Sequence, residues 1–147
     1  MDEIVVPTVK EFRDNRRSRR HAYLACIAVF HIKDHLKKAG GTDVESTMRT
    51  TCRKSFEIVR AICNGTKHVE TNATHQIQFA AGDDWDRPPA ILGELVLGLS
   101  LLGDGDGGRE IGTGNQRIDI YGAVKEVVFA FQQNYSSFLG NCNLSDC

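Results

Sequence analysis

Residues 22–32 read AYLACIAVFHI, with one strongly polar residue, His31, and no glycine or proline. A run that apolar around most of a helical wheel belongs inside a packed bundle rather than on its surface. Its eleven residues fall short of the ~20 that a membrane-spanning helix needs, so the chain is not expected to enter a membrane. The run is the middle of a longer helix over residues 16–38, which opens on Arg16, Arg17, Arg19 and Arg20. At ~100° per residue, Arg17, His21, Leu24, Ala28, His31 and His35 share one narrow arc. One stripe of this helix therefore carries three of the chain's five histidines.

At 147 residues the chain is long enough to bury a core in one domain. That domain is expected over residues 1–140, with 141–147 as a loose tail. A 41% hydrophobic composition argues against disorder, and a net charge of -1 removes any global basic excess for nucleic acid. The charge is uneven, however. Arg13, Arg16, Arg17, Arg19 and Arg20 crowd residues 13–20, and Asp83, Asp84 and Asp86 crowd residues 83–86. The arginines read either as an anion-binding patch or as a solvated helix start. Five cysteines with no CxxC pair, and no apolar leader after a basic start, predict reduced thiols in a cytoplasmic protein. Cys26 and Cys63 sit inside apolar helical runs and read as small buried hydrophobes.

The expected fold class is α+β: a helical hairpin core plus a C-terminal helix, with a small antiparallel β-sheet between residues 76 and 121. Pro7 predicts an extended lead over residues 1–8, with Thr8 capping a helix from Val9. Residues 9–38 read as one helix or as two joined near Asn15, ended by Gly40 and Gly41. A second helix is expected over residues 44–64, with Phe56, Val59 and Cys63 packing on the first and Gly65 as its stop. Residues 76–79 and 95–102 alternate as strands, with residues 80–89 a loop around Trp85. Residues 117–121 return as a strand after a glycine- and aspartate-rich tip over 103–108. Residues 122–139 form the last helix, on an apolar face of Val124, Val127, Val128, Phe131, Tyr135 and Phe138 wide enough to predict a homodimer.

Three groups of residues carry the chemical expectations. His31 and His35, at i and i+4, reach one point on one face. With His21, His68 or Asp34 they would make a nitrogen-rich metal site; the alternative is a hydrogen-bonded core histidine and a second that complements a helix end. The second group is Arg60, Asn64 and His68, on or just beyond the end of the second helix. The third is the arginine run.

A two-helix core with Asn64-x-x-x-His68 near a helix end resembles the HEPN superfamily of helical-bundle proteins. Its signature is Arg, often followed by Asn, and then His, with four to six residues between the Arg and the His. Here Cys63 stands in the arginine position and Arg60 lies one turn earlier. Arg16 and His21 satisfy the bare Arg-x4-His spacing. The resemblance spans residues 16–68 and implies metal-independent RNA cleavage in a defence or toxin system, with no cofactor. In that reading His68 is the general acid/base, Arg60 holds the developing phosphorane charge, and Asn64 orients one of them. Arg13, Arg16, Arg17, Arg19 and Arg20 would hold RNA phosphates. The alternative is a non-catalytic protein-interaction or inhibitor module, which Cys63 in the arginine position favours. A small histidine-ligated metalloprotein is the third reading.

Overall fold

The computed structural model of this chain describes residues 3–67, 82–113 and 116–139. These residues form an α+β fold of six helices and one three-stranded antiparallel sheet. The strand expected over 76–79 and the helix-end histidine His68 lie outside the described residues.

Helix α1, Val5–Asp14, buries Val5, Val9 and Phe12 at i, i+4 and i+7. It starts four residues before Val9, because a proline in a first turn removes an N–H that would have had no partner. Thr8 is therefore inside the helix and not its cap; its hydroxyl donates to the Ile4 carbonyl at 2.6 Å. The chain leaves the helix at Asn15 (φ -134°, ψ 51°) and re-enters at α2, Arg19–Phe30. Ser18 caps the new start, its hydroxyl accepting from the His21 amide. Of the two sequence alternatives, then, the helices are separate.

A second break falls at His31, which ends α2 and opens α3, Ile32–Lys38. Gly40 (φ +96°) turns the chain after α3, and the Gly41 amide donates back to the Leu36 carbonyl at 2.8 Å. The expected second helix is likewise divided. Cys52 (φ -141°, ψ 49°) separates α4, Val44–Thr51, from α5, Arg53–Lys67. Gly65 does not stop α5; it is helical and buried.

The helical hairpin is real, and its members are α2 and α5. The Phe30 and Phe56 ring centroids lie 5.8 Å apart, and Cys26 lies close enough to Cys63 for their thiols to interact. The end of α2 thus meets the start of α5, and the middle of α2 meets the end of α5. The two helices run antiparallel. Helix α6, Ile120–Leu139, closes the core with Val124, Val127, Val128, Phe131 and Tyr135 and kinks at Tyr135. Phe138, expected on that buried face, is exposed past the kink.

Of the strands expected from alternation, the one over residues 117–121 is present as a strand that ends at Asp119, where α6 begins, and the other described strands come from residues not read as strands. Strands β1, Asp84–Arg87, β2, Gly108–Thr113, and β3, Gln116–Asp119, pair in the order β1-β2-β3. Trp85 faces Glu110 across the first pair, and Ile111 faces Ile118 across the second. Residues 84–87 are therefore a strand and not a loop, and residues 103–108 are not a hairpin tip. Residues 95–102 are not a strand, because glycines with φ > 0 interrupt them on both sides and within.

Candidate partner-binding surface

Residues 91–104 hold a five-residue repeat of turns, hidden in the sequence beneath the alternation of leucines. The Glu94 amide donates to the Ile91 carbonyl, Leu99 to Val96, and Asp104 to Leu101, at 3.0–3.1 Å. The third residue of each turn is Gly93 (φ +92°), Gly98 (φ +81°) or Gly103 (φ +85°). A type II turn demands such a φ at its third position and favours glycine there. The second residues are Leu92, Leu97 and Leu102, and each is more than nine-tenths exposed. Ile91, Leu95, Val96, Leu99 and Leu101 are exposed as well. So large an apolar stretch in water is a feature that soluble surfaces rarely keep without a use.

The turns stand on a rigid ionic base. Arg87, whose side chain is 5% exposed, lies 2.5 Å from Asp104, 3.0 Å from Glu110 and 3.3 Å from Asp119. The Asp104 and Glu110 contacts are at ion-pair distance without hydrogen-bond alignment, so their attraction is coulombic. The Asp104 carboxylate also accepts from the amides of Asp106 and Gly107. At the mouth of the repeat the Ala90 amide donates to the Asp104 carbonyl at 2.7 Å, and Ser100 donates to the Pro89 carbonyl at 3.2 Å. Gly107 (φ +68°) passes so close that a Cβ would stand 2.4 Å from the Arg87 carbonyl oxygen.

The arginine run is part of the same base. Arg16 pairs with Asp119 at 3.2 Å and stacks over Tyr121. Arg17 grips Asp86 with two nitrogens, at 2.7 and 3.0 Å, and Glu94 with the third at 3.0 Å. Arg19 and Arg109 converge on Asp84, whose side chain is fully buried. The Tyr23 hydroxyl donates to the same carboxylate at 2.6 Å. Burial and that hydrogen bond push the Tyr23 phenol up to about 12. The two charge clusters noticed in the sequence thus face each other across the α1–α2 corner. Arg13 pairs with Asp14 and Arg20 is exposed. RNA phosphates at Arg16, Arg17 or Arg19 would have to displace protein carboxylates.

The other candidate residues sit elsewhere. Arg60 and Asn64 lie one turn apart on α5, both half-buried, and Arg60 is 3.8 Å from Glu57. His31 and His35 line one apolar cavity, whereas His21 does not. Among the described residues no group of three or more His, Cys, Asp or Glu side chains could hold a metal ion. None of the described helices is long and apolar enough to cross a membrane. Trp85 lies over Gly112 with Arg117 5.6 Å from its ring, and is about half exposed. No protein-family model, curated protein or solved structure matches the chain.

Proposed function

We propose that this protein is a non-catalytic interaction module that inserts Leu92, Leu97 and Leu102 into an apolar groove on a protein partner. The observation that carries this reading is the exposure of one leucine at the same position of three successive turns. Pinned on Arg87 and Asp104, the segment pays little ordering entropy on docking, which is what makes a preformed apolar ridge an effective anchor. The charges beside it are Arg16 and Arg17 against Asp86, Glu94 and Asp106. That surplus of carboxylates suits a groove with a basic rim and disfavours an anionic membrane surface.

The test places a photo-crosslinking residue at Leu95 and compares the parent chain with Leu97→Asp. A captured protein with an apolar, basic-rimmed groove, lost in the variant, is the expected result. Equal capture by Leu97→Asp, or none by the parent, overturns the reading.

RNA cleavage of the HEPN kind is the second reading, favoured by Arg60 and Asn64 sharing one face of α5 within a helical hairpin. Under it, purified protein cuts mixed RNA and His68→Ala does not. A homodimer through α6 would rest on Phe129 and Phe138, since Val124, Val127, Val128 and Phe131 are spent in the core. Light scattering that finds only monomer excludes it.

A further inference from the structure

We infer that the leucine turns are also a self-association surface, through which two copies of this chain form a two-fold dimer that covers the leucines until the partner displaces one copy. The inference rests on the reading of these turns as a docking ridge and adds its regulation: the chain competes with its partner for its own leucines. Area is the first support. The eight exposed apolar residues from Ile91 to Leu102 present on the order of 1,000 Å² to water, about what each side gives to an interface of standard size. A second copy brings an equal apolar area to meet it.

Charge is the second. The chain carries a net charge of -1, so long-range repulsion between two copies is slight. In a two-fold interface the same patch faces itself, and a patch of one sign would repel its copy. Beside the turns both signs occur: Arg17 holds Glu94 at 3.0 Å, and Arg16 lies 3.9 Å from Asp106. Such a patch can set arginines of one copy opposite carboxylates of the other. Its surplus of carboxylates makes the copy a weaker occupant than a basic-rimmed groove, so exchange runs toward the partner. The third support is geometric. The hydrogen bond from the Ala90 amide to the Asp104 carbonyl draws the two ends of the segment together, and the middle turn, 96–99, is the farthest along the chain from both. Leu97, its second residue, is 91% exposed. The dimer places Leu97 beside the two-fold axis, where a residue meets its own copy.

The test is sedimentation of the pure protein at concentrations from about 1 μM to about 300 μM, where weak interfaces dissociate. Monomer giving way to dimer, and to nothing larger, is the expected result. Leu97→Asp changes a side chain that lies almost wholly in water, so melting should be unchanged. It brings two carboxylates together at the axis and should weaken the dimer at least about a hundredfold. Phe129→Asp, on the exposed side of α6, should leave the dimer as it is. A parent that stays monomeric, a mass that grows past the dimer, an undiminished dimer in Leu97→Asp, or its loss in Phe129→Asp overturns the proposal. Because no partner is present, a monomeric parent removes self-association alone, and capture of a different protein at Leu95 still decides the docking reading. A dimer in pure protein with no other protein captured overturns the docking reading alone.

Discussion

At the scale of single residues, charge is decided by burial. Arg17 and Arg87 each meet more than one carboxylate, but the Arg17 side chain is 41% exposed and that of Arg87 only 5%. Exposed pairs contribute little, whereas removing one partner from a buried cluster strands the others in a medium that cannot solvate them. Arg87→Met should therefore cost about 3 kcal/mol in a urea titration, and Arg17→Met below about 1 kcal/mol. Similar losses from the two would mean that Arg87 is solvated after all. A second residue-scale test uses the single tryptophan. A Cβ on Gly112 would stand 2.7 Å from the Trp85 ring, so Gly112→Ala should lift the indole off the sheet and shift its fluorescence to the red. Unchanged emission would show that the ring has room to slide.

At the scale of elements, the helices follow apolar periodicity and the breaks follow polar competition and packing. Ser18 breaks α1 from α2 through a cap that could be read in the sequence, since serine before a basic helix start competes for backbone donors. The breaks at His31 and Cys52 have no such local signature. Phe30 and Ile32, on either side of the first break, are apolar and buried, and at the second Cys52 itself is buried between exposed Thr51 and Arg53. The α2–α5 contact is tested by Phe56→Ala, which empties a fully buried site against Phe30. Its expected cost is about 3–5 kcal/mol, read as a lower urea midpoint, and a neutral result would mean the hairpin does not rest on this pair. In the turn repeat, Gly98→Ala forces a Cβ onto a φ of +81° with open space around it. That substitution should cost roughly 1 kcal/mol locally and reduce partner capture, while the core melts as before.

At the scale of the whole molecule, stability is pH-dependent through the clasp between α3 and α4. Glu45 accepts from Lys33 at 2.9 Å and Lys37 at 3.2 Å, and these hydrogen bonds, opposed by partial burial, lower its carboxyl to about 2. The folded value lies below the unfolded value of 4.5, so this contribution is present above pH 4.5 and lost as pH falls toward 2. Thermal melting should fall across that window, and Glu45→Gln should flatten part of the fall; parallel curves would assign it to other carboxylates. By itself the sequence determined the α+β class, the antiparallel α2–α5 pair, the glycine turn after α3 and the buried face of α6 as far as Tyr135. Each follows from the period of apolar residues and the backbone freedom of glycine, both local properties. Only the tertiary structure decided that the arginine run faces protein carboxylates, since pairs such as Arg17–Glu94 join residues far apart in the chain. It also decided the fate of the leucine-rich stretch. Alternation describes a strand only if a neighbouring strand accepts its backbone hydrogen bonds, and here glycines at every fifth position direct those bonds into turns and leave the leucines in water.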